Sequence, residues 1–527
     1  MTRDFHAPGR SAVYATGGMI ATSHPLASLA AVEILRAGGT AADAAVAAMA
    51  VACIGEPHMT GIGGDCFCLV ARSGQPVWGY NGSGRTGAAM RAERLIEQGL
   101  KDIATESPHA VTVPGTIEAW DKILKTHGRF GLDRVLQPAI DAAERGIPVQ
   151  PRVAHDWSLA VEKLSKHAAT AQHFLIDGRA PKAGDIVRFP ALARTLRTIA
   201  KDGARAFYEG EIADDIVATL SALGGVQTAK DFAAHRGDEV TPISTHYRGL
   251  EVVELPPNGQ GLAALVMLNI LERFDMGALD ANGAARLHLL IEAGRLAYGM
   301  RNTNIADRAF MTETVDALLD RGFAAQLAGM IDRTKRSQFP KAIKPMGSTV
   351  LVCVVDKDRN AVTMINSLFS AFGSGIATGK TGILLHHRGS GFNLTPGHPN
   401  CIGPEKRPLH TIIPALALRN GRVDMAFGVM GGAYQAMGHA HFISNVVDHG
   451  MDLQTAIDWP RVFFEGERVE VEKGVSDDVM KTMREMGHDV ARRPLPHGGG
   501  QAIRIDWDRG VLIGASDPRK DGCALGY

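Results

Sequence analysis

The sequence predicts an α+β fold in which helices cover sheets around one large core. Three observations carry that reading. A chain of 527 residues that is 45% apolar and 21% charged has globular composition and ample material for a core. Short apolar runs alternate with glycine-rich turns such as FGSGIATGKTG, HHRGSGFN and VMGGAYQ, whereas the first part of the chain is rich in segments of helical length. No repeat of 20–50 residues is present, which removes solenoids and propellers. At roughly 150 residues per domain the length alone would allow three or four units, but the pattern favours one core over strung-out beads.

Taken in order, residues 26–37 suit a helix stopped by Gly38-Gly39, and a second helix over 41–53 breaks at Gly55. The glycine-dense loop GEPHMTGIGGD follows. CFCLVAR and PVWGYN then alternate like strands around a turn at Ser73-Gly74. Residues 115–145 and 189–223 read as helices, 250–255 as a strand, and 262–271 and 286–301 as helices. Residues 350–355 are an apolar run of strand length, and helices return over 433–447 and 475–487.

Charge and cysteine usage exclude several classes. Lys+Arg 56 balances Asp+Glu 56, which leaves no electrostatic footprint for nucleic acid or acidic membranes. None of the six cysteines forms a CxxC pair, so zinc-ribbon and thioredoxin readings fall. Cys66 and Cys68 would share a strand face as buried thiols. The first residues show no apolar signal core. The Ala-rich stretch 41–54 is interrupted by Asp43 and is far shorter than a bilayer span. The expectation is a cytoplasmic protein with neither membrane nor nucleic-acid partner.

Several motifs fail on spacing. Gly375 to Lys380-Thr381 has three residues between its glycines where a phosphate-binding loop needs four. Ser83, Ser374 and Ser390 lack the glycine two residues earlier that a nucleophile elbow requires. His386-His387 would point to opposite faces, a poor metal pair, and no cofactor or metal is expected.

The sharp signal is a join. Residues 333–348 carry five basic side chains, no acidic ones and two prolines, and should be exposed and mobile. They run directly into the apolar strand, with Ser348-Thr349 at the boundary. A threonine freed as an N-terminus can serve as nucleophile with its own α-amine as base.

The chain resembles the γ-glutamyltranspeptidase family of N-terminal nucleophile hydrolases. The resemblance rests on HPLASLAAVEILRAGGTAADAAVAA, TGIGGD, VPGTIEAW, ELPPNGQG, VVDKDRNAV, FGSGI, PEKRPLHTIIPAL, Gly431-Gly432 and GASDPRKDGCALGY. It implies a four-layer αββα sandwich with two antiparallel sheets flanked by helices. It also implies self-cleavage before the threonine seven residues ahead of Asp356, that is between Ser348 and Thr349. The products would be a large chain, 1–348, and a small chain, 349–527, folded together as one heterodimeric core. A dimer of such heterodimers is compatible with the sequence.

By the same resemblance Thr349 would attack a substrate amide, and Gly431-Gly432 would supply oxyanion N–H groups. Ser367 would contact the nucleophile, and Arg85 would clamp a substrate carboxylate. The departures concern the α-ammonium of a glutamyl substrate. Phe369 stands where an asparagine is expected, Arg388 and Gly391 replace a glutamine and an aspartate, and His410-Thr411 replaces a pair of serines. Arg85, Arg388 and His410 together favour an anion that carries no amine. The expected activity is therefore hydrolysis of a small carboxylate-bearing amide, as in the oxamate amidohydrolase-like branch. The alternatives are γ-glutamyl transfer or glutathione hydrolysis, a cephalosporin-acylase-like reaction, and a non-catalytic anion binder.

Overall fold

A computed structural model describes residues 9–337 and 348–527. Two seven-stranded antiparallel sheets stack face to face. One runs in the order Val13–Ala15, Val511–Ser516, Gly499–Asp506, Arg422–Met430, Ala415–Arg419, Leu250–Glu254, Ile243–Tyr247. The other runs Cys523–Gly526, Met19–Thr22, Ser348–Val355, Ala361–Phe369, Asp65–Ala71, Trp78–Gly82, Asp238–Val240. Thr363 Oγ1 donates to Ala415 O at 2.9 Å, directly across the gap between the sheets.

Helices close both outer faces. The helix Ala41–Gly55 is buried along its whole length beneath the second sheet, which its alanines allow because small side chains let the backbone approach closely. Its start is fixed by a capping box between Thr40 and Asp43, and by Asp356 Oδ2, which accepts from Ala41 N at 3.1 Å. On the opposite face Gly261–Leu271 and Tyr434–Val447 pack on the first sheet, and Ala284–Asn304 packs on them in turn. Helix, sheet, sheet, helix is the four-layer arrangement expected.

The elements read from the sequence fall close to those observed. The helical stretch 115–145 divides into Thr116–His127, Leu132–Val135 and Gln137–Arg145, with Gly128 and Gly131 at the first break. Four of the six thiols, Cys66 and Cys68 among them, are buried, and all six are free. Among the described residues no helix is long and apolar enough to cross a membrane.

One expectation is met only in part: residues 333–335 are exposed, as expected of the basic segment, but the stretch has partners. Residues 333–337 are not a loose tail: Arg336 N donates to Met486 O at 2.7 Å, Arg336 pairs with Glu467, and Ser337 N donates to Glu292 Oε2 at 2.8 Å. Local composition could not anticipate partners some 45 to 150 residues distant in the chain. The rest of that basic segment, to residue 347, lies outside the described residues.

Candidate active site

Thr349 is the second residue of the strand Ser348–Val355, at an irregularity in its pairing. Ser348 faces Phe369 while Val350 faces Asn366, so the register shifts across Thr349. A bulge of this kind re-aims a side chain. Thr349 is fully buried, with Oγ1 3.2 Å from Ser367 Oγ on the adjoining strand. Gln435 approaches from the helix Tyr434–Val447. Its Oε1 accepts from Ile413 N at 3.1 Å, leaving Nε2 to donate toward Thr349 Oγ1 at 3.5 Å.

Behind Ser367 sits Arg388, which is 0% exposed. Its Nη2 donates to Ser367 Oγ at 3.2 Å and its Nη1 to Thr411 Oγ1 at 2.9 Å. The guanidinium lies 3.9 Å from the Phe369 ring centroid, and that ring stacks in turn on His387. Burial pushes the Arg388 pKa down to about 9, against the pull of Asp65. Its Nε has no partner, and no carboxylate lies within 4 Å of the group among the described residues. Asp65 therefore acts on this buried cation only from a distance, and no carboxylate contacts it directly.

Asp65, the last residue of TGIGGD, organises the floor. Its Oδ1 accepts from Gly84 N and Gly115 N at 3.1 and 3.2 Å, and its Oδ2 accepts from His410 Nε2 at 3.1 Å. Against the upward push of burial, its neighbours His386, His410 (through the hydrogen bond) and Arg388 hold its carboxyl well below the usual range. His410 Nδ1 accepts from Ile412 N, so the proton sits on Nε2. Burial, with Arg388 nearby, pushes the His410 pKa to about 3. The ring is therefore neutral, tied to Asp65 and Ile412 N, and the charge expected of it from sequence is absent.

Arg85 stands apart from this cluster. Its Nη1 is 2.9 Å from Asp307 Oδ2, its Nη2 is 3.6 Å from Asp238 Oδ2, and its side chain is 38% exposed. Its fork is thus held by two carboxylates of the chain itself. Gly391 lies beside the cluster through its backbone, its O accepting from Asn400 Nδ2 at 2.7 Å. His386 and His387 point to different partners, Thr112 O and Asp65 for one and Ser370 and Ser390 for the other.

Gly431 and Gly432 end the strand Arg422–Met430 with φ of +130° and +60°, angles that favour glycine. A Cβ on Gly431 would lie 2.9 Å from Gly498 Cα. Neither N–H of the pair has an acceptor among the described residues. Gln260 Nε2 ties the turn to the cluster, donating to Gly432 O at 2.9 Å and to Thr411 O at 2.8 Å. A cavity of about 270 Å³ opens beside Gly431, lined also by His58, Arg152, Tyr434, Arg493 and Lys520. Among the described residues, no three ligand-type side chains converge on Thr349.

Hydrogen bonds link the Thr349 hydroxyl through Ser367 to the Arg388 guanidinium and Thr411, and Gln260 joins that cluster to the Gly431-Gly432 turn. Sequence reading named Thr349, Ser367, Phe369, Arg388, His410, Thr411 and the glycine pair, but missed Asp65, Gln260 and Gln435. TGIGGD and ELPPNGQG were visible as motifs, and that was the only signal for two of them.

The γ-glutamyltranspeptidase family model matches residues 27–527. The chain belongs to the γ-glutamyltranspeptidase family. It is 38% identical to the glutathione hydrolase-like YwrD proenzyme of Bacillus subtilis (strain 168), over 98% of this chain and 99% of that one. It is 35% identical to the oxamate amidohydrolase proenzyme of Klebsiella pneumoniae, over 97% and 99%. A crystal structure of cephalosporin acylase from Bacillus halodurans superposes with TM-score 0.94 at 36% identity, covering 100% and 99%. This family member is accordingly an amide hydrolase of the N-terminal nucleophile class, and its relatives bear names of three different activities.

Proposed function

We propose that the protein cuts itself before Thr349 and then hydrolyses a short amide that carries a carboxylate and no α-amine. In maturation Thr349 Oγ adds to the Ser348 carbonyl carbon, the peptide nitrogen leaves as the new α-amine, and water cleaves the resulting ester. In turnover that amine accepts the Oγ proton while Oγ adds to the substrate carbonyl. The oxyanion is received by Gly431 N–H and Gly432 N–H, an interaction worth about 10² to 10³ in rate per donor. The substrate nitrogen leaves as amine or ammonia with the proton, and water releases the acid.

The observation that carries the reading is Arg388, buried, without a carboxylate partner and one hydroxyl away from Thr349 Oγ. A carboxylate one or two bonds from the scissile carbonyl can pair with it while the carbonyl stays at the nucleophile. An ammonium at that place would meet the Arg388 cation and the Phe369 ring beneath it.

Release of ammonia or amine from a substrate panel tests this. Oxamate or a similar deaminated amide should exceed glutathione and γ-glutamyl-p-nitroanilide in kcat/KM by about tenfold or more. Glutathione as the better substrate would return the chain to γ-glutamyl chemistry, and a preference for a glutaryl amide would point to acylase chemistry.

A further inference from the structure

Away from Thr349, three ligand-type side chains converge in the interior. His288 and Glu292 lie four residues apart on the helix Ala284–Asn304, hence on one face, and both are 0% exposed. His488, 3% exposed, meets them from just beyond the helix Asp477–Glu485. The ligand atoms of the three lie within 4.8 Å of one another.

The protonation of the cluster can be read from its partners. His288 Nε2 lies 2.7 Å from Asp332 O, which can only accept, so Nε2 carries the proton and Nδ1 presents a lone pair. That Nδ1 lies 2.8 Å from His488 Nε2, so one proton is shared between the rings. His488 Nδ1 is buried and has no partner. Glu292 accepts from Ser337 N at 2.8 Å and faces Arg295 Nη1 only at 3.4 Å, which leaves carboxylate lone pairs free.

From this convergence we infer a divalent-metal site formed by His288, Glu292 and His488, of the class that takes zinc, cobalt or nickel. Two imidazole nitrogens and one carboxylate suit such borderline ions and not magnesium or calcium. A cation takes the place of the shared proton, with metal–nitrogen distances of about 2.0–2.1 Å and a water as fourth ligand. The Asp332 carbonyl already holds the outer N–H of His288, as second-shell groups do for metal-bound histidine. Arg295 and Arg336 lie nearby, and the Glu292 charge together with the Glu467 partner of Arg336 offsets them.

The site has a structural consequence. Asp332 and Ser337 hang from its ligands, and they belong to the last described stretch before residues 338–347. The metal would fasten that stretch to the helix Ala284–Asn304 and to His488.

The test is metal content of the full two-chain protein after dialysis against zinc and then metal-free buffer. About one zinc per chain is expected, falling by about tenfold or more in His488→Ala and Glu292→Gln. Zinc should raise the thermal midpoint of the wild type and leave that of Glu292→Gln unmoved. If either variant fails to fold, the wild-type cobalt(II) form decides: two paramagnetically shifted imidazole N–H resonances are expected. Zinc retention below about a tenth of an equivalent, equal retention in the variants, or fewer than two shifted imidazoles would each overturn the inference.

Discussion

Arg388 stacks 3.9 Å from the centroid of the Phe369 ring while its Nη2 reaches Ser367 Oγ at 3.2 Å. The aromatic face and the hydroxyl together hold a cation that has no carboxylate partner. Phe369 itself takes a φ of +83°, unusual for a bulky side chain, and its N donates to Ser367 Oγ at 2.9 Å. The contact therefore orders the strand end on which the nucleophile cluster is built.

Maturation should leave two pieces. Residues 349–527 number 179, so the smaller piece is about a third of the chain. N-terminal sequencing of it should read Thr-Val-Leu-Val. Thr349→Ala should remain a single inactive chain of 56.1 kDa. Full activity in protein that is never cut would exclude Thr349 as the nucleophile.

Arg388→Ala should raise the barrier for a carboxylate substrate by about 2–5 kcal/mol, because the substrate anion is left buried and unpaired. Arg388→Lys should restore only part, since an ammonium cannot reproduce the planar fork or its stacking on Phe369. Arg85→Ala should cost less than Arg388→Ala, given the existing pairs of Arg85 with Asp307 and Asp238. Steady-state kinetics on matured protein ranks the three.

Gln435→Leu should lower kcat by about three- to tenfold, the worth of one hydrogen bond, with KM little changed. The contact is to the nucleophile and not to the substrate, so the split between the two constants is the decisive reading. Gln435→Glu keeps the oxygen that accepts from Ile413 N and loses the donor. It should therefore resemble Gln435→Leu in kcat while folding normally.

Acid should destabilise the protein well before its carboxylates titrate. Burial lowers the pKa of His24 and His127 to about 4, and of His235, His410 and His497 to about 3. Between those values and the ordinary 6.5 the unfolded chain binds more protons, so stability falls as pH drops below about 6.5. Glu56, raised to about 7 by burial, acts in the opposite sense between pH 4.5 and 7, as do Glu254 and Asp458, which burial also raises, but the histidines outnumber them. The urea midpoint should fall between pH 7 and pH 5, and unfolding at pH 5 should take up protons. Release of protons on unfolding at that pH would contradict this assignment.

Element positions were legible because they depend on local pattern. Gly38-Gly39 and Gly55 bound the helices that alanine and leucine spacing announce, and the run 350–355 needed only its apolarity to be read as a buried strand. The place of Thr349 between a basic, proline-bearing stretch and that strand drew attention to it, but the family resemblance was needed to make it the candidate nucleophile. The partners that tune the site were not. Asp65 and His410 are 345 residues apart, and neither betrays that their pairing leaves the imidazole neutral. The engagement of Arg85 by Asp307, 222 residues on, is equally a fact of tertiary packing. Gln435 reads as one polar residue on a mostly apolar helix until Ile413 N is seen to orient its amide.

The strand Ser348–Val355 lies between Met19–Thr22 and Ala361–Phe369, so its two neighbours come from opposite sides of the bond before Thr349. Once that bond is opened, the sheet is interwoven from two molecules, and nothing in its hydrogen bonding releases either. What changes is the route back from the unfolded state. The intact chain closes this sheet as a unimolecular event, whereas two severed chains must first collide, at a rate set by their concentration. The nicked enzyme should thus carry a kinetic memory of the single chain that folded it, durable while folded and hard to rebuild once its halves have parted.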